Sequence, residues 1–193
     1  MKKYAFLSAS LLLAVAAQAD TYSLKSPNSR LQVDLTNNGN GLSYTVRLDG
    51  KQFISQSSLG LIINNSPIGK NEMQFVGKED ASVKDSFELV AGRTKTVADH
   101  YNAYTLKFTA KDERKLNLNL VVRAYDEGVA IRYQLPNQSG LDQFTIQNEL
   151  TRFIFANDYN CFGFNQGKFV HSHEGEFDAV KSSLIREHNL YDN

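Results

Sequence analysis

The densest group of chemically capable side chains lies in the run His171-Ser172-His173-Glu174-Gly175-Glu176. In an extended segment, residues two apart share a face at about 6 to 7 Å. That places Glu174 beside Glu176 and His171 beside His173. Paired carboxylates at such a spacing overlap the separation used in glycoside hydrolysis, where one group protonates the leaving oxygen and the other attacks carbon or activates water. The competing reading is a solvated strand edge, since neither glutamate has a visible device for holding a proton at neutral pH. The two histidines with a glutamate could imitate a zinc site, but ligands strung along one strand suit a tetrahedron poorly. Calcium takes six to eight oxygens, more than two carboxylates and a few carbonyls supply. His188 reads as a surface residue.

Other candidates have simpler explanations. Asp126-Glu127-Gly128 looks like an acidic ligand loop, yet a turn between two strands needs a glycine able to take positive φ and acids that solvate it. Arg123 and Arg132 flank that turn opposite apolar positions, where pairing with acids across the sheet is expected. Tyr101 is expected to pack in the core. Cys161 is the only cysteine, so no internal disulfide forms. The chain has no Gly-x-Ser-x-Gly, phosphate loop or dinucleotide fingerprint, which leaves serine-nucleophile, nucleotide and hydride chemistry without support.

The elements that must position these groups are strands. Leu31, Val33 and Leu35 alternate with Gln32, Asp34 and Thr36, the period of a half-buried strand. Turn residues follow at 37–41, and Leu42, Tyr44, Val46 and Leu48 resume the alternation up to Asp49-Gly50, a strong hairpin signal. The pattern returns in Tyr104, Leu106, Phe108 and Ala110, then in Leu116, Leu118, Leu120 and Val122, and after the acidic turn in Val129, Ile131, Tyr133 and Leu135. No helical period stands out before about residue 155. Beyond it the chain is polar, aromatic and irregular. Strands at this spacing with Gly, Asn and Asp turns predict an all-β, predominantly antiparallel sandwich.

Composition narrows the class further. Hydrophobic content of 41% and charge of 22% describe a folded domain rather than a disordered or fibrous one. Basic and acidic residues balance at 21 each, and losing Lys2 and Lys3 with a leader tips the sum to slightly acidic. A nucleic-acid partner is therefore not expected. Twelve Phe and nine Tyr without any Trp predict a Phe/Tyr core and weaken the case for an indole sugar platform. Residues 1–19 read as a signal peptide: Lys2-Lys3, an apolar run at 4–17, and Ala17-Gln18-Ala19 before Asp20. That run is shorter than the roughly 20 residues needed to span a bilayer. Periplasmic localisation is expected, with no membrane attachment after cleavage. Residues 20–193 then form one domain, too short to hold a β/α barrel of about 250 residues beside it.

Three stretches together resemble the N-terminal domain of glycoside hydrolase family 97, exo-acting bacterial enzymes that include α-glucosidases and α-galactosidases. The first is Ser26-Pro27-Asn28-Ser29-Arg30-Leu31 with Tyr44 and Ser58-Leu59-Gly60-Leu61. The second is Asp99-His100-Tyr101-Asn102 followed by Arg123-Ala124-Tyr125-Asp126-Glu127-Gly128-Val129-Ala130-Ile131-Arg132-Tyr133. The third is Glu149-Leu150-Thr151-Arg152-Phe153 and His173-Glu174-Gly175-Glu176-Phe177. The resemblance implies a galactose-mutarotase-like β super-sandwich, incomplete at its C-terminal end, preceding a catalytic β/α barrel that these residues do not include. It implies that the barrel carries the general acid and the base or nucleophile, so that this chain is inactive alone. It also implies that a sandwich glutamate helps bind calcium at the active site: Glu174, with Glu176 as the alternative register. His173 departs from the family, where an aromatic residue tends to precede that glutamate. The implied partners are the barrel and an oligosaccharide or glycoside substrate. The alternative expectation is a stand-alone periplasmic carbohydrate-binding module.

Overall fold

A computed structural model describes residues 19–164 and 177–185. Glu174, Glu176, His171, His173 and His188 lie outside the described residues, as does nearly all of the leader. Strands β1 (Asp20–Lys25), β2 (Leu31–Asn38), β3 (Gly41–Leu48) and β4 (Lys51–Ser58) form one sheet in sequence order. A short hairpin of β5 (Leu61–Ile63) and β6 (Ser66–Ile68) leads into a second four-stranded sheet, again with neighbours in chain order: β7 (Met73–Glu88), β8 (Thr96–Ala110), β9 (Asn117–Tyr125) and β10 (Val129–Gln134). Strand β11 (Ile146–Glu149) returns to pair with β5, and β12 (Asn160–Gly163) pairs with β13 (Asp178–Lys181). All these pairings are antiparallel, and no α-helix occurs among the described residues. The all-β expectation holds. The region past residue 155, expected to be irregular, contributes the β12–β13 pair.

Turn chemistry explains the register. Leu48 faces Lys51 across Asp49 and Gly50, whose φ values of +50° and +76° make the left-handed pair that a two-residue hairpin requires. The turn expected at residues 37–41 is tighter than that, because β2 runs through Asn38 and β3 starts at Gly41. Asn37 is a buried strand residue. Its side-chain amide donates to the Met73 carbonyl at 2.8 Å and its Oδ1 accepts the Met73 N–H at 3.0 Å, stitching β2 to the start of β7.

The alternating residues of β2, β3, β8 and β9 meet in one core, in which Val33, Leu35, Leu106, Leu118, Leu120 and Val122 are fully excluded from water. Burying such side chains stabilises the fold by about 1.5 to 3 kcal/mol each. The predicted Phe/Tyr core is corrected: the interior is mainly aliphatic, and Phe108 is the one buried phenylalanine among the described residues. Phe53, Phe153 and Phe155 stay exposed. Phe108 ties the layers by packing with Phe75 and with Tyr22 of β1, at ring-centroid distances of 5.9 and 6.2 Å. Beside it the Tyr104 hydroxyl donates to the Tyr22 carbonyl at 3.1 Å.

On the outer face of β2, Asp34 is a buried carboxylate. Ser23 and Gln32 donate to its Oδ1 at 2.6 and 2.7 Å, and Arg47 pairs with Oδ2. Burial works against its ionisation, but the hydrogen bonds from Ser23, Gln32 and Arg47 outweigh that and hold the carboxyl below its ordinary value. The folded state then binds this proton less readily than the unfolded chain. Its stabilisation is complete above the ordinary carboxyl pKa and is lost as pH falls through the lowered folded value. Asp34→Asn is expected to cost about 1.5 to 3 kcal/mol at neutral pH. Urea melts should show the gap to wild type closing as the pH is taken below the ordinary carboxyl range and through the lowered folded value; a gap unchanged in acid would contradict the assignment.

The long β7–β8 ladder was not visible in the sequence. Residues 78–85 of β7 carry Lys78, Glu79, Asp80, Lys84 and Asp85 without an apolar alternation, because β7 lies at the sheet edge and is mostly exposed. Since β9 reaches back only to Tyr101, the far part of the ladder is a two-stranded ribbon.

Candidate functional site

Strand β10 ends the second sheet and β4 ends the first. Between their apolar faces the sandwich opens into a cleft of about 660 Å³. Each of the three stretches singled out in the sequence contributes to its lining, together with Val46, Leu48, Phe53, Ile54 and Phe155.

The first is the loop before β2. The Ser26 hydroxyl donates to Asn28 Oδ1 at 2.8 Å, the Arg30 N–H donates to the same oxygen at 3.0 Å, and the Leu31 N–H donates to Ser26 Oγ at 3.1 Å. These bonds curl the loop so that Asn28 N–H meets Asp126 Oδ1 at 2.8 Å, joining the loop to the acidic turn. Arg30, at the cleft mouth with Asp126 and Glu127, forks onto Asp49 through bonds of 2.8 and 2.7 Å. Both partners are exposed, so the pair orients the guanidinium more than it stabilises the fold.

The second stretch supplies the acidic turn and β10. Tyr125 N–H donates to the Gly128 carbonyl at 2.8 Å, which closes the turn. Gly128 does not take the positive φ expected of it, nor does any residue from Tyr125 to Gly128. The turn closes through that bond without a left-handed residue, and Asp126 is engaged by Asn28 instead of merely solvating the bend. Arg123 also departs from expectation. Its guanidinium lies 4.4 Å from the Tyr101 ring centroid and donates to the Tyr125 hydroxyl at 3.3 Å, so it stacks on an aromatic face rather than pairing with an acid. Tyr101 is buried beneath it on the outer face of β8, opposite the core residues Tyr104 and Leu106. No ion pair involves Arg132 among the described residues. Asn102 serves structure too, donating to the Lys25 carbonyl at 2.9 Å.

The third stretch closes the other rim. After β11, residues 151–156 run antiparallel to β4: Arg152 N–H donates to the Ser58 carbonyl at 3.0 Å, Ser55 N–H to the Ile154 carbonyl at 2.7 Å, and Ala156 N–H to the Phe53 carbonyl at 3.0 Å. This brings Phe153 to 6.3 Å from Tyr44 and Phe155 to 5.8 Å from Phe53, ring centre to ring centre. Two phenols pin the floor. Tyr133 accepts the Gly60 N–H at 2.8 Å and lies 2.6 Å from the Thr151 hydroxyl, while Tyr44 donates to the Arg152 carbonyl at 3.0 Å. Burial raises both, Tyr44 to about 12, so they act as neutral hydrogen-bonding pins and not as acids.

The result is an aromatic and aliphatic trough with Arg30, Asp126, Glu127 and Glu149 at its margins. It is suited to receive apolar side chains or ring faces. Among the described residues there is no group of three or more His, Cys, Asp or Glu that could hold a metal ion. Sequence reasoning located the strands and the loops but missed the trough. Its walls come from residues about 100 positions apart, and Phe53 and Phe155 sit in segments without clean alternation.

Residues 24–191 match the family described as Glycosyl-hydrolase 97 N-terminal. The chain belongs to this family. It is 26% identical over 200 residues to the retaining alpha-galactosidase of Bacteroides thetaiotaomicron, a match that spans 98% of this chain and 29% of that protein. A probable retaining alpha-galactosidase of Streptomyces bingchenggensis is 26% identical over 135 residues, 67% of this chain and 20% of that protein. Among solved structures, a glycoside hydrolase family 97 enzyme of Pseudoalteromonas sp. strain K8, in complex with acarbose, shares the fold with a TM-score of 0.70 at 23% identity over 82% of this chain and 24% of its own. A beta-arabinopyranosidase gives the same score at 25% identity over 81% of this chain and 26% of its own. This family 97 N-terminal chain thus spans less than a third of the length of the relatives it matches.

Proposed function

We propose that the chain is the exported N-terminal sandwich portion of a calcium-dependent, exo-acting glycoside hydrolase of the α-glucosidase or α-galactosidase type. In this reading it supports a catalytic β/α barrel and lends that barrel a calcium-ligand glutamate, Glu174, or Glu176 in the alternative register. The observation that carries the reading is the match to an N-terminal glycosidase family over residues 24–191, in relatives whose own length extends far beyond it. The leader at residues 1–19 favours the periplasm as its location. Calcium would be held with oxygens from the barrel, and would supply Lewis-acid polarisation or positioning at the sugar.

The chain alone should not hydrolyse glycosides. Incubated with aryl α-galactosides and α-glucosides plus calcium, the purified protein is expected to give no turnover above buffer. Robust turnover that Glu174→Gln abolishes would overturn the proposal. A second reading, an independent periplasmic carbohydrate-binding module, is favoured by the aromatic trough at Tyr44, Phe53, Phe153 and Phe155. Titration with galactosides and maltose-series sugars separates the two.

A further inference from the structure

We infer that a second cleft, on the other side of residues 148–152 from the trough, binds a saccharide that carries a carboxylate, of the hexuronate kind. This goes beyond the proposed function, which leaves the sugar to a barrel, and does not rest on it.

The cleft measures about 630 Å³, within the range of about 300 to 1,000 Å³ that holds small ligands. Asn148, Leu150 and Arg152 line it and not the trough, while Phe153 and Phe155 line the trough and not the cleft. Side chains alternate along an extended chain, so one segment serves both sites. The floor is fixed by backbone bonds: Leu59 N–H donates to the Leu42 carbonyl at 2.9 Å, Leu42 N–H to the Gly69 carbonyl at 2.8 Å, and Leu150 N–H to the Gly60 carbonyl at 2.8 Å. Gly60 and Gly69 come so close that a Cβ on Gly69 would stand 3.2 Å from the Gly60 Cα. Three hydrogen-bonded elements thus set the shape of the cleft in advance, which lowers the cost of binding.

The lining decides the ligand. Lys70 and Arg152 are exposed at its rim. Arg30, Arg47 and Arg114 are each taken up by an acid, whereas the Lys70 ammonium and the Arg152 guanidinium have no ion pair or hydrogen bond among the described residues. The backbone of Arg152 is nevertheless held on both sides, its N–H by the Ser58 carbonyl at 3.0 Å and its carbonyl by the Tyr44 hydroxyl at 3.0 Å. Against the two cations stands a single acid, Glu149. A carboxylate placed there gains charge-assisted hydrogen bonds, in the forked geometry that a guanidinium favours. Asn40, Asn65 and Asn148 add side-chain amides, which donate to and accept from ring hydroxyls. Leu59 and Ile62 offer an apolar wall to the C–H face of a ring. An inorganic anion would use the cations alone, and a neutral sugar would leave both cations unpaired. The trough offers no such set, because its Arg30 is already forked onto Asp49.

Calorimetric titration of the full chain with trigalacturonate, maltotriose and sodium sulfate tests the assignment. Trigalacturonate should bind about tenfold or more tighter than maltotriose, and its affinity should fall as sodium chloride is added. Arg152→Gln and Lys70→Gln should each weaken it by about tenfold or more. Neither should lower the melting temperature, since both side chains are exposed and without partners. Phe153→Ala, in the trough, should leave the affinity unchanged. Equal binding of maltotriose would overturn the inference, as would no heat with trigalacturonate up to about 10 mM. Sulfate that competes at equal affinity would reduce the cleft to a bare anion site and overturn the saccharide assignment. Binding that survives Arg152→Gln but is lost in Phe153→Ala would move the sugar to the trough and overturn it too. None of these outcomes bears on whether the chain alone hydrolyses glycosides, so the proposed function is tested separately.

Discussion

Gly41→Ala is expected to destabilise the sandwich by about 3 kcal/mol or more, the sum of backbone strain and a steric clash that cannot relax. Gly41 has a φ of +90°, a conformation L residues rarely adopt. A Cβ there would stand 2.3 Å from the Gly69 carbonyl oxygen and 2.5 Å from the carbonyl carbon and oxygen of Lys70. These are backbone atoms, so no side chain can swing aside. The close approach is needed because Leu42 N–H donates to that same Gly69 carbonyl at 2.8 Å, fastening the β2–β3 hairpin to the β5–β6 hairpin. Moving the chain to relieve the clash would break the bond. Denaturant melts of the variant should shift the midpoint far below wild type, whereas Gly50→Ala, with open space around its Cβ, should show only the smaller cost of its positive φ. Equal losses at the two positions would show that conformation alone, and not the close approach, sets the cost.

Phe108→Ala should cost about 3 to 5 kcal/mol, corresponding to a fall in melting temperature of about 10 °C or more. Phe108 is 1% exposed and joins Tyr22 of the first sheet to Phe75 and β8 of the second. Truncation removes the transfer free energy of the ring and leaves a cavity between layers held apart by long strands, which limits collapse. Phe153→Ala removes the same chemical group from a position open to water and is expected to change the melting temperature little. Calorimetry on the two variants separates the core phenylalanine from those that rim the trough.

The contrast between these two phenylalanines also marks how far the sequence could be read. Strands β2, β3, β8, β9 and β10 were legible because each buries one face against a common core, so residue type alternates with the pleat. Asp49-Gly50 was legible because two left-handed residues in a row admit few side chains. Strand β7 was not: its edge position removes the burial that would have written an alternation into it. Arg123 was misread because alternation gives a side chain's face, while the Tyr101 ring beside it comes from the neighbouring strand. Composition gave the number of phenylalanines and could not say that, among the described residues, Phe108 alone would be buried. Glu174 and Glu176 rest on resemblance, lying beyond the described residues.

The neighbour-by-neighbour order of both sheets has a consequence for assembly. Each four-stranded sheet can zip as successive hairpins, paying only short loop closures as the chain lengthens. The trough cannot. Ile154 must find Ser57 across 97 positions, and Tyr44 must find Arg152 across 108. The two layers can therefore form early, while the third side of the trough waits for the last of residues 146–156. The part of the molecule that others are expected to touch is also the part completed last.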